Sequence, residues 1–90
     1  MRTDRYFVCS LDRGLRILAC FRDGAENIGN LEFSKTCELP KSTVSRLTRT
    51  LTKLGYLSRA ATGRYALGPT ALSMGVLYLH HAREASASVE

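Results

Sequence analysis

The stretch Leu39-Pro40-Lys41-Ser42-Thr43-Val44-Ser45-Arg46-Leu47-Thr48-Arg49-Thr50-Leu51-Thr52-Lys53-Leu54-Gly55 decides the reading of this chain. Pro40 is tolerated in the first turn of a helix, and Gly55 is the residue favoured just past a helix end. Between them Val44, Leu47, Leu51 and Leu54 recur at helical spacing, so one face belongs to a core. The opposite face carries Ser42, Ser45, Arg46, Arg49 and Lys53, short hydroxyls and long cations with no carboxylate among them. Arg can fork onto the O6 and N7 of guanine, Ser can hydrogen-bond several base edges, and Lys and Arg neutralise phosphates. A merely solvated face mixes signs, because Glu-to-Lys pairs one turn apart support a helix, and no such pair exists here. The helix at 40–54 is therefore read as one laid against nucleic acid.

Composition agrees. Ninety residues with 44% apolar content make one small domain with a single core. The formal charge is +5, from 13 Lys and Arg against 8 Asp and Glu. The first 38 residues hold six of each sign, whereas Leu39 to Arg83 contains seven basic residues and no acidic one. This asymmetry points to an anionic polymer or surface as partner. No apolar run approaches the ~20 residues that span a membrane and no signal peptide opens the chain, so a soluble, cytoplasmic protein without a membrane partner is expected.

Cys9, Cys20 and Cys37 are odd in number and lack C-x-x-C spacing, which indicates neither a disulfide framework nor a zinc site. His80 and His81, adjacent on a helix, point about 100° apart and are read as surface residues rather than metal ligands. No residue set supplies nucleophile, base and orienter, and no glycine motif cradles phosphate. An enzyme is not expected, and neither a cofactor nor a metal is called for.

Around the central helix the elements follow in order. Residues 1–9 read as an arm with Arg2 and Arg5 beside Tyr6, Phe7 and Val8, and two readings stay open: a frayed terminus, or a segment whose aromatics pack on a partner and whose arginines follow a phosphate backbone. Ser10 as N-cap opens a helix over about 11–22, with Leu11, Leu15 and Leu18 as its stripe and Ile17 and Phe21 widening it. Gly14 inside it implies a close approach by another element. On the wheel Cys20 falls beside Arg13 and Arg16, cations that favour a thiolate, so a redox role stands against the ordinary thiol. After the loop at 23–27, Asn30 caps a short helix over about 31–37, with Phe33 and Cys37 inward. Helix, short turn and helix in this order make a helix-turn-helix.

Beyond Gly55, Tyr56-Leu57-Ser58-Arg59 and Arg64-Tyr65-Ala66-Leu67 flank Ala60-Ala61-Thr62-Gly63, a small β-hairpin with Arg59 and Arg64 near its tip. It reads as a wing reaching the backbone or minor groove, against the alternative of a solvated hairpin. The last helix, about 69–84, carries Leu72, Val76 and Leu79 to dock on the domain and leaves Met74, Leu77, Tyr78 and Ala82 for a second partner. Residues 85–90 are expected to fray. The fold class is mostly α with a small β-hairpin: an arm at 1–9, a winged helix-turn-helix at 10–68, and a linker or dimerisation helix with its tail at 69–90.

The sequence resembles the N-terminal winged helix-turn-helix domain of the IclR-type (isocitrate lyase regulator) bacterial transcription factors. The matching residues are Ser10 to Leu18, Leu39 to Leu47, Gly55-Tyr56-Leu57 and Gly63 to Pro69, in the family's order and spacing. The resemblance implies sequence-specific duplex binding by a homodimer on an inverted-repeat operator, most often for repression. It places the helix from Pro40 in the major groove, with Lys41, Ser42, Thr43, Ser45, Arg46 and Arg49 toward the bases, and the hairpin as wing. Glu38 stands where the family usually has Gly, so a turn of another shape is the alternative there. Family members continue into an effector-binding domain, so the chain reads either as a DNA-binding piece or as a short relative, with any small-molecule effector acting through a domain absent here. The competing reading from another class is a winged-helix protein-interaction or RNA-associated module.

Overall fold

The structure, a computed structural model, describes residues 4–22 and 24–89. Its elements are α1 (Cys9–Ala19), α2 (Asn30–Cys37), α3 (Lys41–Lys53), β1 (Leu57–Arg59), β2 (Tyr65–Leu67) and α4 (Pro69–Val89). α1, α2 and α3 enclose the core, the hairpin closes one side, and α4 leaves from the hairpin's end. This is the winged helix-turn-helix expected.

The core is built around Phe33, Ile17, Leu57, Val44 and Thr48, all essentially without solvent contact, with Phe21, Ile28, Cys37, Leu39 and Tyr65 packed about them. The expected stripe of α1 is overturned. Leu11 and Leu15 stay 61% and 56% exposed, while Gly14, Ile17 and Phe21 are buried and Leu18 is half-buried. The apolar arc of α1 is wide enough to offer either edge, and the approach of α2 and α3 selects the Ile17 side. No neighbour approaches Gly14 closely: a Cβ there would meet nothing within 4 Å. The helix also opens earlier than expected, with Val8 rather than Ser10 at the N-cap, and the arm before it is short. Asp4 accepts the Tyr6 and Phe7 amides at 2.9 and 3.1 Å, and Tyr6, Phe7 and Val8 are exposed. Arg2, the other cation assigned to the arm, lies outside the described residues.

α2 begins one residue earlier than predicted. Gly29 is its N-cap, and its N–H donates to Glu32 Oε1 at 2.9 Å. At the other end Glu38 adopts the left-handed conformation at φ 55°, so the turn keeps the shape a glycine would give and takes the strain. The Leu39 amide bonds the Ser34 carbonyl at 3.1 Å, Ser34 Oγ donates to the Leu39 carbonyl at 2.6 Å, and the Arg16 guanidinium donates to the Cys37 carbonyl at 3.2 Å. These bonds fix the exit from α2 into α3.

On α3, Val44 is buried as expected, Leu47 and Leu51 are half-buried, and Leu54 remains 59% exposed. Its place in the core goes to Thr48, whose hydroxyl is satisfied by the Val44 carbonyl at 3.0 Å. A buried threonine is tolerated on a helix when its hydroxyl bonds back to the preceding turn.

The hairpin pairs Leu57 with Leu67, Ser58 with Ala66 and Arg59 with Tyr65. Ile28, in the segment before α2, adds an antiparallel bridge to Tyr65, with N–H to O distances of 2.9 and 2.8 Å. A second tie comes from Arg64, whose guanidinium donates to the Asn27 carbonyl at 2.9 Å and ion-pairs with Glu32. The marginal two-stranded unit is thereby held to the helices.

α4 corrects the expectation most. Leu72, Val76 and Leu79 do not dock; they are 56%, 65% and 61% exposed, and only the first turn of the helix is held. There Thr70 N–H bonds the Gly55 carbonyl at 2.9 Å and Gly68 N–H bonds the Tyr56 carbonyl at 2.8 Å. Gly55 sits at φ 86°, and a Cβ on Gly68 would collide with the Gly55 carbonyl, so both glycines are required. The helix continues to Val89 rather than fraying after Glu84, and Glu90 lies outside the described residues.

Replacing Gly14 with Ala is expected to raise stability by about 0.5–1 kcal/mol, because helix propensity improves and the site has room. Glu38→Gly relieves about 1 kcal/mol of left-handed strain, partly offset by the glycine's freedom in the unfolded chain. Urea melts read both, and a loss of stability in either contradicts the local geometry. The Gly29 N–H, and after it the Arg64 guanidinium, hold the Glu32 carboxyl below its ordinary value. A lowered folded value means stabilisation that is complete above the unfolded carboxylate value and fades as pH falls through the folded one. The stability gap between wild type and Glu32→Gln should thus be present near about pH 7 and vanish in strong acid. A gap independent of pH would contradict the tether.

Candidate nucleic-acid interface

The geometry of α3 divides its predicted residues. Lys41, Ser42, Ser45, Arg46, Arg49 and Lys53 are exposed, as Val44 and Thr48 turn the other side of the helix into the core. Thr43 is half-buried and, with Arg46, lines a groove between α1 and α3 that also holds Leu11, Gly14 and Leu47. On the wing side Arg49, Thr52, Lys53 and Arg59 surround a second depression, floored by Tyr65. The structure thus gathers Arg49, Lys53 and Arg59 from two elements into one cleft, while Thr43 and Arg46 belong to the far flank of the helix.

Electrostatics separates the two wing arginines. Arg59 is exposed and, like Lys41, Arg46, Arg49 and Lys53, has no ion-pair partner among the described residues. Arg64 is exposed too, but Glu32 and the Asn27 carbonyl already engage its guanidinium. Its role in the fold, as the strut between wing and α2, was invisible in the sequence because Glu32 lies 32 residues away.

The N-terminus of α3 adds to the cationic side. Pro40 caps it in extended conformation, no side chain caps its amides, and no acidic residue stands in its first turn. Uncapped amides and the positive end of the helix dipole favour an anion there.

Cys20 and the dimer candidates of α4 line neither depression. Cys20 is half-buried, its Sγ 3.7 Å from Cys37 Sγ, in a depression that Arg16 and Arg22 also line. Burial, followed by the Cys37 thiol, pushes the Cys20 thiol up to about 11, against a lesser opposite pull from Arg22, which favours the ordinary thiol of the two readings. Among the proposed dimer residues Met74, Leu77 and Tyr78 are 56%, 57% and 70% exposed, and Ala82 is half-buried. His80 Nε2 lies 3.1 Å from Glu84 one turn on. No helix among the described residues is long and apolar enough to cross a membrane.

Comparison with known proteins agrees with this geometry. The family model of the IclR helix-turn-helix domain matches residues 10–61. The chain is 50% identical over 70 residues to the HTH-type transcriptional regulator TsaQ1/TsaQ2 of Comamonas testosteroni, covering 77% of this chain and 25% of that protein. It is 36% identical over 77 residues to the Pca regulon regulatory protein of Pseudomonas putida, covering 84% and 26%. Among solved structures, an IclR family transcriptional regulator from Brucella abortus superposes with a TM-score of 0.80 at 44% identity, covering 89% of this chain and 31% of that one. The Agobacterium tumefaciens repressor BlcR gives a TM-score of 0.71 at 31% identity, covering 82% and 30%. The chain spans about a quarter of the length of the curated relatives it matches. These relatives are regulators of transcription, not enzymes. With the helix-turn-helix and hairpin in place and the family model matching residues 10–61, the chain belongs to the IclR family of transcriptional regulators and carries their helix-turn-helix domain.

Proposed function

We propose that this domain reads double-stranded DNA as a symmetric dimer, with α3 in the major groove and the wing against the adjoining backbone or minor groove. The observation that carries the reading is the set of exposed, uncompensated cations along α3 and the wing: Lys41, Arg46, Arg49 and Lys53 on α3 and Arg59 on the wing. In this reading Lys41, Ser42, Thr43, Ser45, Arg46 and Arg49 meet base edges, and Lys53 and Arg59 meet phosphates. Arg64, whose charge Glu32 already offsets, serves mainly to hold the wing in place.

The dimer follows from α4. Leu72, Met74, Val76, Leu77, Tyr78 and Leu79 are exposed around the helix, which is more apolar surface than a lone helix leaves in water. A two-fold partner covering it would present two copies of α3 to successive major grooves about 34 Å apart, and the operator would be an inverted repeat. Repression is the sign we assign, since the structurally similar Agobacterium protein is named a repressor. A small-molecule effector, in this reading, is sensed outside these residues, and the site of action is the cytoplasm.

If the dimer neutralises about six phosphates, binding should fall with salt at a log-log slope near −5. A slope near zero defeats the DNA reading. Lys53→Ala should weaken operator and random duplex equally, whereas Arg46→Ala should cost about 1–3 kcal/mol on the operator alone. Equal losses for Arg46→Ala would reassign it to the phosphates. Tyr78→Glu should abolish two-to-one binding to a palindromic duplex. Wild-type affinity and stoichiometry in that variant would remove α4 from the dimer seam.

A further inference from the structure

The thiols of Cys20 and Cys37 stand apart from the nucleic-acid surface and take no part in the reading above. Cys20 follows the last residue of α1 and Cys37 ends α2, yet their sulfurs are 3.7 Å apart across 17 residues of sequence. Both are also directed at one acceptor, the Arg16 carbonyl, at 3.5 Å from Cys20 Sγ and 3.7 Å from Cys37 Sγ. The Arg16 side chain closes the ring by donating to the Cys37 carbonyl at 3.2 Å. Cys37 is buried, but Cys20 is half-exposed, and a surface depression lined by both cysteines, Arg16, Arg22 and Thr36 opens onto them. A small oxidant therefore has a way in to one sulfur, with the second already in contact behind it.

We infer that Cys20 and Cys37 are a modification site: a hydroperoxide converts them to an intramolecular disulfide that staples the end of α1 to the end of α2. The Cys20 thiolate attacks one peroxide oxygen, the O–O bond breaks, and the other oxygen leaves as an alcohol, or as water from hydrogen peroxide, after taking a proton. Cys20 is then a sulfenic acid. Cys37 sulfur attacks Cys20 sulfur, the S–O bond breaks, and the hydroxide leaves as water with the Cys37 proton. Two thiols are oxidised by two electrons, one peroxide is reduced, and no other reactant is needed. A disulfide reductant reverses the step by exchange.

The location gives the bond its consequence. It forms one residue before Glu38, at the exit from α2 that sets the angle of α3, and it replaces a sulfur contact with a covalent link. The closed loop of 17 residues removes freedom from the unfolded chain, enough to raise the thermal midpoint by on the order of 10 °C. Because burial pushes the Cys20 thiol up to about 11, closure is slow at neutrality and quickens by nearly tenfold for each unit that pH rises toward that value. The site answers sustained oxidation rather than a brief pulse.

The test uses the whole chain with Cys9→Ser, which removes the exposed third thiol at the start of α1. Hydrogen peroxide is added at mildly alkaline pH, and intact mass, thiol alkylation and thermal melting are followed. The expected result is a monomer lighter by two hydrogens, with both cysteines protected from alkylation, a peptide linking 20 to 37, and a midpoint raised by about 10 °C that dithiothreitol reverses. Cys20→Ala, at the half-exposed position, should melt like the reduced protein and show no midpoint rise with peroxide. Addition of oxygen to Cys20 without the cross-link, intermolecular disulfides, or a linked chain with an unchanged midpoint would each overturn the proposal.

Discussion

Phe33 is the contact on which the arrangement depends. Its ring is fully buried, 6.0 Å from Phe21 and 6.2 Å from Tyr65, both tilted as aromatic pairs prefer. It joins α1, α2 and the wing in one cluster. Without that joint the hairpin would be two short strands with little reason to form, and α2 would offer α3 no surface to cross. Val44 and Thr48 complete the same cluster from α3, so burying one side of that helix is also what exposes its cations on the other.

A second constraint runs from α3 to α4. Gly55 ends α3 in a left-handed conformation, and its carbonyl accepts from Thr70 at the start of α4, while Gly68 passes too close to that carbonyl for any side chain. α3 and the apolar helix α4 are therefore joined through backbone, with Thr70 Oγ1 adding a bond to the Leu54 carbonyl at 3.3 Å. The start of α4 and the end of α3 are thus tied mainly by backbone rather than by flexible side chains.

Much of this was legible from short-range signals. The turn at Leu39-Pro40, the stop at Gly55, the hairpin around Gly63 and the charge asymmetry are properties of neighbouring residues, and each appears where the pattern places it. The exposed cations of α3 were equally legible, since fixing Val44 inward determines where Arg46, Arg49 and Lys53 point on a helix. Less legible was which edge of a wide apolar arc is used. Leu11 and Leu15 look as suitable for a core as Ile17 and Phe21, and Leu54 looks better than Thr48, yet packing chose the second of each.

The sequence by itself determined the order of elements, the helix-turn-helix with its wing, and the side of α3 that carries positive charge. Those follow from periodicity and turn chemistry, which act over a few residues. Only the tertiary structure decided that Arg64 is held by Glu32 while Arg59 stays free, that α4 stands away from the core, and that Cys20 meets Cys37. These outcomes depend on groups 17 to 37 residues apart, or on a helix that leaves the core after one turn. No local pattern records such distances, because they are set by how three helices and a hairpin share one small interior.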